Sequence, residues 1–417
     1  MENNNFLDLS LVPKELKLIL LIINTENNEN LRLNKNNIFK DIDWDYFLHL
    51  VIHHRVFPII YTKLKTIQGK VIPPYVMKTL SYEYKSNTIK MLQFSGEMVQ
   101  ISELFTKNKI RLLFLKGPVI AADIYGDISL RTSKDLDILI PSTDIQKAEE
   151  ILYISGYVRE EEPDYNDWKW RNHHVTFNHP QKNIQIEIHW RLHPRPKKVP
   201  SFNELWERKR ESNLTRHPVF FLGKEDLFLY LIAHGSKHGW FRLRWLVDID
   251  LLVKKFFSLE KSNIQIKKYQ QQHLGGQANL FIGQSLILAS QLLNTPINKE
   301  MQAYTEKKHS KRVAKMSVYY IKEMAHNNIP ITKEKLAKKH MDFFLTIKSN
   351  LSKSYSINSY RFASKSNLEK LLFIIRLFYP RKADKMALNL PRPFHFLYFP
   401  LRPFFWVWRK TRKSNKE

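Results

Sequence analysis

The sequence predicts an α+β protein, with a small mixed β-sheet core and helices, flanked by N-terminal and C-terminal helical regions. Two observations predict this fold class. Residues 111–115, 138–140 and 184–189 form short apolar or strictly alternating runs, which are typical of strands. Residues 6–93 and 202–330 instead repeat apolar residues at helical spacing. The strand runs fall between two helical stretches, which places the sheet in the middle of the chain.

Four regions follow from these patterns. We predict an N-terminal helical region over 1–93, an α/β core over 94–200, a helical domain closing the cleft over 201–330, and a basic, aromatic-rich C-terminal segment over 331–417. A chain of 417 residues is long enough to bury more than one hydrophobic core. The Pro-rich stretch 193–200 marks the exit from the α/β core.

Local signals set several helix boundaries. Helical spacing over 44–65 is interrupted at residues 55–57, just before a proline, so a break or bend is expected there. The side-chain oxygens of residues 142–144 favour a helix start, and Gly156 favours the end of that helix. Residues 224–233 begin with charged residues and continue as a strongly apolar helix.

The chain carries a large excess of positive charge. It has 67 Lys and Arg against 40 Asp and Glu, which gives a net charge of +27. From residue 361 to the end there are fourteen basic and three acidic residues. Such an excess favours anionic partners, namely nucleic acid, nucleotide or anionic lipid. The alternative is the solvated basic surface of a Lys-rich chain.

Cysteine and long apolar runs are both missing from the sequence. Zero cysteines exclude a disulfide framework and a Cys-based zinc site. No run approaches the roughly 20 apolar residues of a membrane-spanning helix. Glu2 and a run of Asn stand where a signal peptide has its basic region. We therefore expect a cytoplasmic protein, with peripheral membrane contact as a further expectation.

The apolar run 111–115 stops at Lys116, Gly117 and Pro118, a sequence that predicts strand, tight turn and helix. Proline suits the first helical position because its missing N–H would be unpaired there. Such a turn directs free backbone N–H groups and the positive end of the helix dipole at one point, which suits a phosphate. Lys116 adds a cation at the same place.

Three carboxylates form the candidate catalytic set. Asp135 and Asp137 lie two residues apart at an apolar strand, so both side chains leave the same face. Glu187 lies on the alternating strand 184–189 and shares its face with Gln185 and His189, while isoleucines occupy the other face. Residues 172–177 form the expected hairpin partner. Carboxylate oxygens are the ligands that Mg²⁺ prefers.

The Asp-x-Asp pattern alone is not specific, because it recurs in this chain. We interpret Asp41, Asp43 and Asp45 as helix-start carboxylates, and Asp248 and Asp250 as carboxylates on a helix surface. The order of elements distinguishes Asp135 and Asp137: a glycine turn and helix lie upstream, an apolar strand is attached, and a second acidic strand follows.

These residues together resemble one family. Lys116-Gly117, the segment 130–137, residues 155–157 and the segment 187–190 are similar to the uncharacterised nucleotidyltransferase family within the DNA polymerase β-like superfamily. The resemblance extends upstream to Trp44, the pair His53-His54 and Pro58, and downstream to residues 234–248, so it covers roughly 35–260. It implies that 94–200 is a nucleotidyltransferase core.

The resemblance implies a site and a reaction. Asp135 and Asp137 would bind two Mg²⁺ ions, with Mn²⁺ as an alternative, and Glu187 would be the third metal ligand and the catalytic carboxylate. Lys116, Gly117, Arg131 and Lys134 would bind the nucleotide. The reaction would transfer a nucleoside monophosphate from an NTP such as ATP to the hydroxyl of an unknown acceptor, a small molecule, peptide or protein, with release of pyrophosphate. The superfamily usually carries Gly-Ser at the phosphate turn, and here Lys116-Gly117 replaces it.

The histidines near the three carboxylates can be interpreted in two ways. His234 and His238 lie four residues apart on one helix face, but Gly235 stands where a zinc protease needs Glu. Either they are packed histidines at a domain junction, or His234, His238, Arg244 and Asp248 line the acceptor or nucleotide pocket. His189, with His173, His174 and His193, is expected to divide between pocket lining and surface.

The C-terminal segment alternates aromatic residues with prolines and cations over 391–410. It suits a groove on the protein's own surface, an anionic membrane surface, or a partner such as nucleic acid. Its four prolines argue against one continuous amphipathic helix. Membrane contact requires salt-sensitive binding to anionic liposomes that is lost when 391–417 is deleted.

Three functions are therefore carried forward. The first is the nucleotidyltransferase. The second is a nucleic-acid-binding or RNA-modifying protein of the same fold, which the positive charge favours. The third is a non-catalytic nucleotide-binding scaffold, although three acids in one cleft bring no advantage to such a protein.

Overall fold

The computed structural model describes most of the chain. The described residues are 6–10, 12–25, 38–67, 71–160, 169, 172–193, 199–257, 266–326, 360, 364–365, 370–372, 375, 388 and 390–414. Two compact units are present, Met1–Ile357 and Asn358–Glu417. Residues 194–198 of the predicted Pro-rich exit and most of the predicted segment 331–417 lie outside the described residues.

Helices occupy both sides of the sheet in the first unit, as predicted. Their bounds are α1 Lys14–Asn24, α2 Trp44–His53, α3 Phe57–Leu64, α4 Pro74–Lys107, α5 Pro118–Ile120, α6 Ile145–Ile154, α7 Phe202–Glu207, α8 Lys224–Lys237, α9 Leu243–Phe256, α10 Ile266–Leu274, α11 Ala278–Leu293, α12 Lys299–Thr305 and α13 Lys308–His326.

The predicted break between α2 and α3 is confirmed. The two helices are separated by residues 54–56, and Arg55 there has a φ of 56°, a left-handed conformation that ends a helix. Pro58 lies in the first turn of α3, where its missing N–H costs no hydrogen bond. Asp43 caps α2 by accepting a hydrogen bond from the Tyr46 N–H at 2.9 Å, so its helix-start role is also confirmed.

One mixed seven-stranded sheet forms in the described residues, in the order β3-β4-β5-β2-β1-β7-β6. The strands are β1 Leu113–Phe114, β2 Leu136–Leu139, β3 Val158–Arg159, β4 His174–His179, β5 Ile184–His189, β6 Arg210–Glu211 and β7 Phe220–Phe221. β2 pairs in parallel with β5 and antiparallel with β1, and β4 and β5 form the predicted hairpin. The α+β class with a small mixed sheet is therefore confirmed.

Alternation along β5 explains its position in the sheet. Ile184, Ile186 and Ile188 are all buried and belong to the hydrophobic core, as their spacing predicts. β2 lies beside β5 and is buried at every position, Asp137 included. An acid in such a central strand needs compensating partners, and the site supplies them.

The structure differs from two expectations drawn from the sequence, one on a helix start and one on the exposure of two carboxylates. Residues 142–144 do precede a helix that ends before Gly156, but they form a 3₁₀ turn, and none of their side chains makes a capping hydrogen bond to α6. Asp248 and Asp250 on α9 are buried, so their assignment to a helix surface was wrong. Each carboxylate is instead satisfied by polar partners within the core.

The second unit contains a 3₁₀ segment, Arg392–Leu397, followed by α14, Tyr398–Ser414. The helix continues through Pro403, so prolines in this segment do not prevent a helix of seventeen residues. Phe404 and Trp408 are exposed on it. Contact of this segment with an anionic membrane or nucleic acid stays a prediction. Among the described residues, no helix combines the length and apolarity that crossing a membrane requires.

Candidate active site

The predicted strand, turn and helix form around Gly117. β1 leads through Lys116 into Gly117, and Pro118 occupies the first position of α5. Gly117 has φ 88° and ψ −145°, a backbone conformation that residues with a Cβ rarely adopt. α5 continues into a π-helical turn, Ala121–Tyr125, and the whole helical segment lies after the turn.

Asp137 and Glu187 lie side by side on neighbouring strands. They are direct register partners in the parallel pair β2 and β5, so their side chains project from the same face of the sheet. Asp137 is 1% exposed, and Glu187 keeps 23% of its side-chain surface accessible. One acid is therefore buried at the bottom of the site and the other faces its opening.

His189 joins the two carboxylates. Its Nε2 lies 3.2 Å from Asp137 Oδ1 and 3.2 Å from Glu187 Oε2, and its ring is almost fully buried. Lys116 Nζ lies 3.2 Å from both Asp137 oxygens. Asp137 thus has a lysine and a histidine as partners, which explains why a carboxylate is stable at this depth.

Burial and neighbouring charges set the ionisation of these acids. Burial alone would raise the pKa of Asp137, but Lys116 and His189 outweigh it and hold that pKa well below its usual range. Burial is likewise outweighed at Glu187, where the hydrogen bond to His189 lowers the pKa. At His189, burial is opposed by hydrogen bonds to both carboxylates, which raise the pKa of the imidazole. Asp137 and Glu187 are therefore anionic at neutral pH.

Asp135 has the opposite balance. Burial and the charge of Asp137 raise the pKa of Asp135, and Lys116 only partly offsets them. Asp135 directly precedes β2 and lines the same cavity as Asp137 and Glu187. The acids crowd one another, so an additional cation in the cavity would relieve their repulsion.

The cavity between the sheet and α8 has a volume of about 200 Å³. The wall formed by the sheet and its loops comprises Lys116, Asp135, Asp137, His173, His174, Glu187, His189, Leu192 and His193. The opposite wall comes from α8 and the residue after it, through Tyr230, Ala233, His234, Lys237 and His238. The predicted pocket role of His234 and His238 therefore fits where the structure places them.

Two groups of side chains in this cavity have the donor atoms of a metal site. Ligand atoms of Asp137, Glu187 and His189 lie within 4.8 Å of one another, and so do those of His173, His174 and His189. The first group has carboxylate oxygens, which suit Mg²⁺ or Mn²⁺, and the second has only imidazole nitrogens, which suit softer transition metals.

Arg131, Asp248, Arg244 and Lys134 have a different placement from the cavity residues. Arg131 is buried and forms two hydrogen bonds to Asp248, from Nε at 2.8 Å and from Nη2 at 2.9 Å. Arg244 is buried and donates to Thr132. Lys134 is exposed. The structure thus brings together Lys116, the three acids and three predicted histidines, whereas these four residues do not line the cavity.

Tyr230 and Lys237 are lining residues that sequence reasoning missed, whereas His193 was among the histidines expected at the pocket or the surface. Lys116 Nζ lies 5.7 Å from the centre of the Tyr230 ring. The His193 ring stacks on the Tyr230 ring, with the two ring centroids 5.9 Å apart. A signal was present, because Tyr230 precedes His234 and His238 at four-residue spacing on one helix face.

Comparison with known proteins now defines the class. The family model described as uncharacterised nucleotidyltransferase matches residues 40–294, more than half of the chain. The protein is accordingly a nucleotidyltransferase, a transferase in which acidic and histidine side chains have the arrangement of a metal site. The chain belongs to the uncharacterised nucleotidyltransferase family, as its resemblance predicted.

Two solved structures are similar at low identity. One is described as "Solution Structure of Antibiotic-Resistance Factor ANT(2'')-Ia Reveals Substrate-Regulated Conformation Dynamics", with 13% identity, a TM-score of 0.30, and coverage of 40% of this chain and 85% of that one. The other is ANT(2")-Ia in complex with adenylyl-2"-tobramycin, with 13% identity, a TM-score of 0.30, and coverage of 41% and 93%. No curated protein sequence matches the chain.

Proposed function

We propose that the protein transfers a nucleoside monophosphate from an NTP to an acceptor hydroxyl in a Mg²⁺-dependent reaction that releases pyrophosphate. One observation carries this proposal: Asp137 and Glu187 are register partners on parallel strands, at a cavity that also contains Asp135 and Lys116. Three acids on one side of a small cavity form a hard-oxygen site, which is what phosphoryl-type transfer needs.

The residues present fit Mg²⁺. Asp137 and Glu187 offer anionic oxygens because their pKa values lie below the usual range. Asp135 adds a third carboxylate whose raised pKa reflects repulsion from Asp137. These three side chains would hold the metal, whose positive charge, when bound, polarises the phosphates and stabilises the pyrophosphate leaving group.

The protein's own residues position and deprotonate the reactants. The acceptor oxygen forms a bond to the α-phosphorus, the bond from that phosphorus to the pyrophosphate oxygen breaks, and pyrophosphate leaves with the bonding electron pair. The acceptor proton moves to Glu187, which is the more accessible acid of the strand pair. His189 holds the Glu187 and Asp137 carboxylates in fixed orientation, from Nε2 at 3.2 Å to each.

Lys116 has a binding role in this scheme. Its Nζ contacts Asp137 and lies over the face of Tyr230, so its position is fixed from two sides. The usual serine hydroxyl is missing from this turn, and the Lys116 ammonium group would contact the phosphate in its place. α8 contributes Tyr230, His234 and His238 to the wall of the cavity opposite the acids.

The test is nucleotidyl transfer from α-labelled NTPs to a pool of small hydroxyl compounds and cellular metabolites. Labelled product should form with the wild-type protein and Mg²⁺, and fall at least about 100-fold in Asp137→Asn and in Glu187→Gln, since both variants keep the side-chain shape but remove the charge. Glu207→Gln, a change at an exposed acid, should retain wild-type activity. Product formation that is equal in all four proteins would refute the proposal.

A further inference from the structure

A second group of cations lies near the loop that precedes β2. Arg55 lies between α2 and α3, and Arg242 and Arg244 lie at the start of α9. We call these three residues the arginine cluster. Arg244 donates to Thr132, three residues before Asp135, so the cluster lies beside the loop that leads to this acid.

Backbone hydrogen bonds fix the cluster in place. His54 accepts from the Arg244 N–H through its carbonyl oxygen at 3.3 Å, and from the Leu243 N–H through its Nδ1 at 3.4 Å. Arg244 Nη1 donates to the carbonyl and hydroxyl oxygens of Thr132. The loop before β2, the start of α9 and the end of α2 are therefore tied together around Arg55.

The charges of the arginine cluster are not balanced by acids. In the described part of the chain, no carboxylate forms an ion pair with Arg55, Arg242 or Arg244 within 4.0 Å. The Nε atoms of Arg242 and Arg244 are buried, and among the described residues they have no hydrogen-bond partner. Arg131, by contrast, is fully paired with Asp248. Across the residues that the structure describes, one arginine of this region therefore has a directly paired carboxylate, whereas the three of the cluster have none within 4.0 Å.

Electrostatic effects agree with this geometry. Burial, together with Arg242, lowers the pKa of Arg55 to about 10, and burial, together with Arg131, lowers that of Arg244 to about 10. Buried like charges repel one another and lose hydration, so they are costly without an anion. Lys90 on α4 adds further positive charge near Arg55.

We propose that the arginine cluster binds phosphate groups of a substrate whose reacting end lies at Asp135 and Asp137. Guanidinium groups present planar pairs of N–H donors that match phosphate oxygens, and Arg55 and Arg242 are partly exposed. This inference rests on the proposed function for the direction of the ligand. Two sources share the chemistry: the triphosphate of the NTP, and a phosphate carried by the acceptor.

The direct test measures anion binding without metal or turnover. Tripolyphosphate and inorganic phosphate are titrated calorimetrically into the full-length protein in EDTA at low salt. Wild type should bind tripolyphosphate, and Arg55→Gln with Arg242→Gln should weaken it at least tenfold. Arg216→Gln, at an exposed arginine, is the control and should leave affinity unchanged. Equal affinity in wild type and the double variant, or equal loss in the control, would overturn the proposal.

Two further arms separate folding, source and catalysis. Arg55→Lys with Arg242→Lys keeps the charge but removes the fork, and its affinity should lie between wild type and the Gln variant. If ATP displaces bound tripolyphosphate, the cluster binds the phosphates of the NTP. If inorganic phosphate still binds to the protein saturated with ATP, the cluster binds a phosphate of the acceptor. Asp135→Asn with Asp137→Asn should still bind tripolyphosphate in EDTA. If the wild-type protein binds tripolyphosphate but transfers no nucleotide from any NTP, the proposed function alone is refuted.

Discussion

The ion pair between Arg131 and Asp248 leads to a prediction that separates a structural from a substrate-binding role. Arg131 is 1% exposed and Asp248 is 0% exposed. Two charged hydrogen bonds join them, at 2.8 Å and 2.9 Å, and the Tyr125 hydroxyl donates to Asp248 at 2.7 Å. The resemblance to the family placed Arg131 at the nucleotide, whereas the structure places it within the protein interior.

The perturbation is Arg131→Met, which keeps an unbranched apolar stem and removes the guanidinium. Two charged hydrogen bonds are lost, each worth about 1.5–3 kcal/mol. Asp248 then retains only its Tyr125 contact as a buried charge. Removing one partner of a buried pair usually costs about 3–5 kcal/mol, in agreement with the sum of the two bonds. We therefore expect the free energy of unfolding to fall by about 3–5 kcal/mol.

Urea unfolding followed by circular dichroism measures this change. Arg216→Met, at an exposed arginine, should alter stability by less than about 0.5 kcal/mol. The double variant Arg131→Met, Asp248→Asn should be less destabilised than the sum of the two single variants, because it leaves no unpaired buried charge. If Arg131→Met unfolded like wild type and lost only affinity for NTP, the structural assignment would be refuted.

Three other predictions concern the backbone and acid stability. Gly117→Ala should lower the free energy of unfolding by about 1–3 kcal/mol, because φ is 88° there, and it should also weaken NTP binding, as urea unfolding and calorimetry can show. Gly235→Ala should lower the free energy of unfolding by about 1–3 kcal/mol, since a Cβ would lie 2.3 Å from the Trp240 ring. Gly96→Ala, at an exposed position in the middle of α4, should raise it by about 0.5–1 kcal/mol. Thermal melts of both variants check this. Burial lowers the pKa of His54 well below 6.5. Below about pH 6.5, His54 is therefore protonated in the unfolded chain but stays neutral in the native state. Stability should be full above that pH and fall as the pH decreases, and urea unfolding at pH 5.5 and 7.5 should show a smaller difference for His54→Gln than for wild type.

The sequence was most informative where the signal was local. The strand, turn and helix around Gly117 follow from a glycine and a proline at the end of an apolar run, and the structure forms all three. Alternation over 184–189 fixed which side of β5 faces the core. Because that strand lies parallel to β2, the alternation also placed Glu187 beside Asp137. Short-range periodicity therefore positioned the acids of the site.

Contacts between distant residues were harder to infer. Asp248 lies 117 positions from Arg131, and a lone acid in an apolar helix reads as a surface residue unless its partner is known. Asp250 is buried for the same reason, with hydrogen bonds from Thr295 and Lys254. A pattern of hydrophobic residues predicts which face of a helix is polar. It does not predict whether a cation from a distant part of the chain packs against that face.

Helix capping gave a smaller lesson. Residues 142–144 have the composition of a helix start, yet their side chains cap nothing, because a 3₁₀ turn occupies the position where the capping residue would bond. Sequence composition indicates that a helix begins nearby, whereas the path of the preceding chain decides which residue closes the first turn.

The central claim is that Asp135 and Asp137 form a metal-dependent nucleotide site. The most direct measurement is isothermal titration of ATP, GTP, CTP and UTP in Mg²⁺ into the wild-type protein and into Asp135→Ala with Asp137→Ala. We expect one nucleotide to bind to the wild-type protein in Mg²⁺, and its affinity to fall when either the Mg²⁺ or both acids are removed. Binding that is unaffected by removing Mg²⁺ or both acids, or no binding of any NTP to wild type, would contradict the account.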